Sequence, residues 1–264
     1  MTNREIIDIL ERLSPPKGAL EWDNIGLLVG HESQESNVVY VALDATDKVI
    51  DRAVQRKAGM VLTHHPLIFS GLKRINDQDF LGRRILKLIE NKVACYAMHT
   101  NFDVWVMARL AADRMGLEDR EVLEVTGMDN DGIREVPVGI GCTGYLEKSM
   151  TLEACARAVK KAFGIPSVRY FGDNSQIVRK VSICPGSGKG MAQMAVRQGA
   201  QVLITGDIGH HDGIDAVDQG LCMIDAGHHG IEHIFVAFMK DYLEKNLEGV
   251  EIIADSDAPP FTVV

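Results

Sequence analysis

The chain has 264 residues, 46% of them hydrophobic and 25% charged, and its formal net charge at pH 7 is −9. This length and composition allow a substantial buried core and exclude an extended disordered protein. The acidic balance also argues against a nucleic-acid partner, because proteins that bind a phosphate backbone normally present a basic face.

The cysteines and the N-terminus indicate in which cellular compartment the protein is expected. The five cysteines contain no C-x-x-C pair, so we expect reduced thiols, no disulfide and no thiolate zinc site. The N-terminus lacks the apolar region of a signal peptide, and no apolar run approaches the roughly 20 residues of a membrane span. We therefore predict a cytoplasmic protein without a membrane partner.

Helix and strand patterns alternate through the first half of the chain. Apolar residues at helical spacing predict helices, which cover residues 3–13, 47–58, 77–91 and a segment ending near 115. Continuous apolar or β-branched runs predict buried strands, at 38–43, 60–63 and 92–98. A strand and turn region then continues to about residue 147. This order predicts an α/β fold with mostly parallel sheets covered by helices.

The same rhythm continues in the second half. One predicted helix begins at Thr151, a second spans 191–198, and two more end near residues 219 and 246. Strands are predicted at 168–171, 178–184, 200–205, 221–225 and 250–254. The segment Pro185–Gly190 lacks the spacing of a nucleotide P-loop, so we interpret it as a glycine turn, with anion binding by its amides as the alternative.

Polar side chains that can bind metal follow several predicted strands. In an open α/β sheet the carboxyl ends of parallel strands share one edge, so these side chains can meet in one crevice. They are His64 with His65, Asp103, Asp207 with His211, and His228 with Glu232. An isolated histidine pair would more simply cap a strand end and face water. Convergence of several strand ends favours the metal-binding interpretation.

The types of these side chains bear on which metal they bind. His228 and Glu232 are four residues apart at a predicted helix start, so they share a face with Cβ atoms roughly 5–6 Å apart. Histidine nitrogens with carboxylate oxygens favour Zn²⁺, Mn²⁺ or Fe²⁺ over Ca²⁺. Five or more ligands are too many for one tetrahedral catalytic zinc, so two divalent ions per chain fit better.

Two further segments have open interpretations. Trp22-Asp23-Asn24 either closes a turn through an Asx hydrogen bond or lines the site. Lys73 and Arg74 either hold a phosphate group or are solvated.

Six of these segments, in order, resemble the GTP cyclohydrolase 1 type 2 family, also called Nif3-like dinuclear-metal-centre proteins. The segments are Trp22-Asp23-Asn24-Ile25-Gly26, Ala42-Leu43-Asp44-Ala45-Thr46, His64-His65-Pro66-Leu67-Ile68-Phe69, His99-Thr100-x-x-Asp103, Gly206-Asp207 and Gly227-His228-His229-x-x-Glu232. The resemblance implies that two metal ions are bound by His64, His65, Asp103, His228 and Glu232, with Glu232 as the bridge. Asp207 and His211 would then orient ligands or face the substrate.

The resemblance also implies a single unit over residues 1–264 that contains two interlocked α/β lobes. One lobe would comprise approximately residues 1–125 with 200–264, and the other residues 126–199. It implies a toroidal homohexamer and the short form of the family, without an inserted domain. His210 departs from the family pattern, in which a bulkier residue is expected.

For function, the resemblance implies a metal-dependent hydrolase that opens the ring of GTP with an activated water. Its substrate would be a small molecule such as a nucleotide, and Lys73, Arg74 and Lys189 are the candidate phosphate contacts. A phosphoesterase could use the same site. A metal-binding hexamer that stores or delivers metal, or acts through partners, is the non-enzymatic alternative.

Overall fold

The computed structural model describes residues 1–130, 132–256 and 259–262.

Side-chain caps define where several helices begin. Thr2, Thr46 and Thr151 each accept a hydrogen bond from a backbone amide of the first helical turn, and Glu5 completes a capping box with Thr2. The α-helices are α1 Asn3–Leu13, α2 Asp47–Gln55, α3 Phe80–Glu90, α4 Thr100–Phe102, α5 Ala108–Met115, α6 Leu152–Ala162, α7 Met191–Arg197, α8 His210–Asp218, α9 His228–Glu232 and α10 Ile234–Asn246. A 3₁₀ turn covers Pro16–Gly18, and a π-helical turn, Asp103–Met107, joins α4 to α5.

Most strands lie on the predicted apolar runs, whereas β1 was not predicted and β5 is a mostly exposed, polar strand. They are β1 Gly26–Val29, β2 Val38–Ala42, β3 Met60–Thr63, β4 Ala94–Ala97, β5 Glu118–Asn130, β6 Glu135–Thr151, β7 Arg169–Phe171, β8 Ile177–Ser187, β9 Val202–Gly206, β10 Cys222–Asp225 and β11 Glu251–Ala254. β3, β4, β9 and β10 are buried along their whole length, as expected for strands covered on both faces. β8 extends into the predicted glycine turn, because Ser187 still pairs with Gly206 beyond a register shift.

The strands form two sheets. The first has the order β1-β4-β3-β2-β11, and all of its pairs are parallel except β1 with β4. The second has the order β5-β6-β8-β9-β10-β7, in which only the β8–β9 and β9–β10 pairs are parallel. The predicted α/β class is confirmed, and the antiparallel pairs of the second sheet are β5 with β6, β6 with β8, and β10 with the edge strand β7.

The described residues form two compact units, 1–102 with 235–256, and 103–234 with 259–262. Each unit contains one of the sheets. This division differs from the lobes expected from the sequence, because β9 and β10 pair in the same sheet as β8 and so bring 200–234 into the second unit. None of the described helices has the length and hydropathy needed to span a membrane.

A buried hydrogen bond links two neighbouring parallel strands of the first sheet. The Tyr40 hydroxyl on β2 donates to Oδ1 of Asp255, just beyond β11, at 2.5 Å. Arg52 donates to the other oxygen of the same carboxylate at 2.7 Å. Burial and the Asp255 carboxylate raise the pKa of Tyr40 to about 12. The neutral phenol is therefore the form that the folded chain stabilises.

We expect the Tyr40→Phe variant to lose a pH dependence of stability that the wild-type chain shows. Because the folded pKa lies above the unfolded value of about 10, this stabilisation is complete below pH 10 and is lost as pH rises through about 12. Urea unfolding should show the wild-type free energy of unfolding falling by about 1–3 kcal/mol more than that of the variant across this window. Tyr170→Phe is the control, and parallel pH profiles for wild type and Tyr40→Phe would contradict the assignment.

Candidate metal centre

Three histidines meet at the carboxyl edge of the first sheet. His64 and His65 directly follow β3, and His99 lies two residues beyond the adjacent parallel strand β4. Each ring offers a nitrogen ligand atom, and these three atoms lie within 4.8 Å of one another. The ring centroids are 4.9 to 5.6 Å apart. We call His64, His65 and His99 the histidine cluster.

Each ring of the histidine cluster is held through its Nδ1 atom. An oxygen atom lies 2.8 Å from every Nδ1, so Nδ1 carries the hydrogen and Nε2 carries the lone pair. The acceptors are the carbonyl of Met98 for His64, Asp44 for His65 and Asp23 for His99. A carbonyl or carboxylate behind the ring is the usual support of a metal-binding imidazole, since it fixes the tautomer and increases basicity.

Asp23 connects the segment before β1 to the histidine cluster. Its side chain is fully buried and also accepts hydrogen bonds from the amide and hydroxyl of Thr100. Burial alone would raise the pKa of Asp23, but the bonds from His99 and Thr100 outweigh it and lower the pKa to about 2. The backbone N–H of Asn24 also donates to this carboxylate, at 2.8 Å. A turn is present, but the Asp23 backbone N–H closes it by donating to the carbonyl of Leu20 at 3.0 Å. The Asx hydrogen bond expected from the sequence therefore does not form in this described segment, and Asp23 instead supports His99.

A second group of chemically competent side chains lies at the carboxyl edge of the second sheet. His228 opens α9, three residues beyond β10, and its Nε2 is 3.0 Å from Oε2 of Glu232 one turn later. Its Nδ1 is 2.7 Å from Oδ2 of Asp207, which follows β9. His228 is thus oriented by a carboxylate in the same way as His65 and His99. Glu232 is buried, with 3% of its surface exposed.

Gly186 makes room for the Glu232 carboxylate. A Cβ atom at Gly186 would lie 2.3 Å from Oε1 of Glu232 and 3.7 Å from Nε2 of His228. Gly186 also has φ +76, which side chains rarely adopt. Position 186 therefore requires glycine for two reasons, its backbone conformation and the close approach of Glu232.

Asp103 lies in the same part of the second unit as Glu232. It opens the π-helical turn that precedes α5. Burial raises the pKa of the Cys184 thiol, and the negative charges of Asp103 and Glu232 raise it further. Both carboxylates are thus close enough to affect one buried thiol on β8, which stays protonated and does not serve as a thiolate ligand.

The loops that carry Asp207 and His228 are held by the buried carboxylate of Asp225. It accepts hydrogen bonds from the amides of Ile208 and Gly227 and from Nε of Arg169. Asp207 itself has φ 56, a left-handed conformation that aspartate tolerates better than most residues. These bonds keep the Asp207 carboxylate beside His228.

The other predicted residues lie at the surface. His210 and His211 open α8, are exposed, and contact each other edge to face with centroids 5.1 Å apart. Lys73, Arg74 and Lys189 are also exposed. Within the described part of the chain, neither His210 nor His211 belongs to a group of three side chains placed to bind metal.

His99 is the residue that the sequence-based ligand set omits. The signal for it is the one that marked His64, namely a histidine immediately past a buried strand. The bond to Asp23, which is 76 residues away in sequence, could not be read from local pattern. These histidine and glutamate groups, with their supporting oxygens, are placed so that they could hold metal ions.

Comparisons with known proteins agree with this architecture. The profile of the Duf34/NIF3 (NGG1p interacting factor 3) family matches residues 1–260. Proteins named GTP cyclohydrolase 1 type 2 homolog are 32% identical in Clostridium acetobutylicum, covering 94% of this chain and 92% of that one, and 32% identical in Clostridium perfringens, covering both chains completely.

Solved structures are similar over the whole chain. A Bacillus cereus protein related to NIF3 has a TM-score of 0.92 at 26% identity, covering 100% of this chain and 99% of that one. The Staphylococcus aureus protein SA1388 has a TM-score of 0.89 at 29% identity with the same coverage. The resemblance noted in the sequence is confirmed, and the chain belongs to the Duf34/NIF3 family.

Proposed function

We propose that this chain is a metal-dependent hydrolase that binds two divalent ions, Zn²⁺, Mn²⁺ or Fe²⁺, through His64, His65, Asp103, His228 and Glu232. One observation carries the proposal. Four histidines that follow strand ends each have a carbonyl or carboxylate oxygen 2.7 to 2.8 Å from Nδ1. Buried structural histidines also bond through a ring nitrogen, but metal-binding histidines use this support regularly, and here it recurs at four histidines that follow strand ends.

The chain's own residues prepare the donor atoms. Asp44 and Asp207 orient His65 and His228, so that Nε2 of each ring is the basic nitrogen. Asp23 does the same for His99, which we add to the proposed ligand set. Bound divalent ions would supply the Lewis acidity that lets water act as a nucleophile near neutral pH.

The carboxylates are proposed to share the charge of the two ions. Glu232 is buried beside His228, with 3.0 Å between Oε2 and Nε2, so both atoms could serve as donors to one ion. A bound cation would add to His228 as a favourable neighbour of this buried carboxylate, which supports Glu232 as the proposed bridging ligand. Asp207 acts as a positioning residue, and the exposed His211 remains a candidate for contact with substrate.

GTP is the substrate proposed first, because the relatives carry the name GTP cyclohydrolase 1 type 2 homolog. Hydrolysis of a phosphoester at the same residues is the second candidate reaction. Lys73, Arg74 and Lys189 are exposed cations that could contact phosphate groups. We also propose that the chain assembles as a homohexamer, which light scattering can measure.

Turnover by purified protein of known metal content tests the proposed reaction. We expect the protein loaded with Mn²⁺, Zn²⁺ or Fe²⁺ to hydrolyse GTP. Chromatography of the nucleotide would distinguish ring opening from release of phosphate. His65→Gln should reduce the rate at least about 100-fold, because it removes a donor nitrogen from the proposed site. His31→Gln, an exposed histidine outside the histidine cluster, should leave the rate unchanged.

The result that would contradict the enzyme proposal is equally concrete. GTP and simple phosphodiesters that both stay intact with every metal would remove its support. Stoichiometric metal in that inactive protein would instead favour a non-enzymatic metal-binding assembly.

A further inference from the structure

Two large aromatic side chains stand exposed beside the histidine cluster. Trp22 has 62% and Phe69 has 52% of its surface exposed. The Trp22 ring lies 6.0 Å from the His99 ring at an interplanar angle of 75°, and the Phe69 ring lies 5.6 Å from it at 79°. Both aromatic rings therefore contact the same imidazole while most of their surface faces solvent.

The fold does not need this exposure. An aromatic side chain stabilises a fold mainly by burying its surface, and these two leave about half or more of theirs in water. Their backbones are nevertheless anchored. Asp23, next to Trp22, is bonded to His99 and Thr100, and the Asn24 side chain donates to the carbonyl of Ile68, next to Phe69, at 2.6 Å. The two rings are thus held on connected segments at the edge of the cluster.

We propose that Trp22 and Phe69 form a stacking site for the planar heteroaromatic ring of a small anionic molecule, a nucleoside phosphate. Exposed aromatic faces stack on nucleobases without needing a particular hydrogen-bond pattern. Stacking here would hold such a ring beside His99. The inference rests on the proposed function for the location of the reacting centre, and it adds the two side chains that would hold the base of the substrate.

The anionic part of the ligand is assigned from two neighbouring cations. Lys73 and Arg74 follow Phe69 by four and five residues, and both are exposed. Five residues span at most about 18 Å, so both backbones lie within that distance of Phe69, and their long side chains extend the reach. In a chain with a net charge of −9, two adjacent cations within about 18 Å of Phe69 along the backbone favour a phosphate-bearing ligand over a neutral one.

Titration calorimetry on the full-length, metal-quantified protein tests the proposal with guanosine, GTP and inorganic triphosphate as probes. Trp22→Ala should weaken guanosine and GTP binding roughly 5- to 150-fold, the range measured for loss of one stacked base. Trp22→Phe should restore most of the affinity. Phe69→Leu should weaken binding of the same two probes, and the metal content of all three variants should match that of wild type.

Matched controls separate stacking from charge. Phe80→Leu removes an equally exposed aromatic ring, 56% exposed, whose ring contact within the described part of the chain is with Arg84 and not with the histidine cluster, and this variant should bind all probes like wild type. The double variant Lys73→Ala, Arg74→Ala should weaken GTP and triphosphate binding while leaving guanosine binding unchanged.

Several results would overturn the proposal. Guanosine binding that is absent in wild type, or equal in wild type and Trp22→Ala, excludes a stacking site. A change in assembly mass in Trp22→Ala with unchanged ligand affinity would assign these rings to a contact between copies. Failure of the proposed function is distinguishable, because guanosine binding that depends on Trp22 in a protein without turnover would leave the stacking site standing.

Discussion

Replacing Glu232 by glutamine is expected to remove most of the bound metal while the fold remains intact. The side chain is buried and lies 3.0 Å from Nε2 of His228, so the substitution removes a carboxylate donor without changing its volume. Loss of residues that merely support ligands typically costs 10- to 100-fold in metal affinity, so loss of a proposed bridging ligand should cost more than about 100-fold. The bound metal of protein dialysed against trace metal, measured by elemental analysis, should fall from the proposed two ions per chain to fewer than one.

Stability without metal provides an independent readout for this variant. Glutamine keeps the volume of the buried side chain and an oxygen that can accept from Nε2 of His228, which is 3.0 Å from Oε2 in the wild-type chain. Metal-free Glu232→Gln should therefore unfold within a few degrees of metal-free wild type, which shows that loss of metal is not loss of the fold. Glu147→Gln, an exposed site, is the control. Two ions retained per chain in Glu232→Gln would exclude Glu232 as the bridge.

Gly186→Ala is expected to lower metal affinity by about 10- to 100-fold. This is the loss that usually follows mutation of a residue that supports a metal ligand. The added Cβ would lie 2.3 Å from Oε1 of Glu232, which must then move. Gly190→Ala is a matched control, because Gly190 has a similar positive φ of +88 but nothing within 4 Å of a new Cβ. Backbone strain alone should cost each variant about 1–2 kcal/mol of unfolding free energy.

The two alanine variants therefore separate strain from displacement of the carboxylate. Calorimetric titration with Zn²⁺ or Mn²⁺ should show weak binding only for Gly186→Ala. Equal affinities in the two variants would mean that Glu232 does not need the space at Gly186, or does not bind metal. Thermal unfolding of both, measured without metal, should show the same cost of backbone strain in each and an additional loss in Gly186→Ala from the displaced Glu232 side chain.

The helices and strands follow from local features of the sequence. Thr2 with Glu5 and the Thr46 and Thr151 hydroxyls cap helices that begin where the apolar periodicity begins. The buried strands are continuous apolar runs because both of their faces are covered. These signals act within a few residues, so no knowledge of distant partners is needed to predict them.

The strand pairing of the second sheet was harder to predict from the sequence. Its edge strand β7 pairs Phe171 with Met223, which are far apart in sequence. The β5–β6 hairpin joins consecutive strands, but β5 is mostly polar and exposed, so no apolar run marks it. Strand runs alone favoured a mostly parallel sheet, because the alternation with helices resembles a succession of parallel crossovers.

The sequence by itself determined the α/β class, the family and the residue types that can bind metal, because each depends on local spacing and side-chain chemistry. Only the tertiary structure decided which oxygen holds each imidazole. The Asp23 bond to His99 joins residues 76 apart, and the Asp207 bond to His228 joins residues 21 apart. Such bonds depend on strand order and loop conformation, so the third member of the histidine cluster and the space at Gly186 became evident only when the chain was folded.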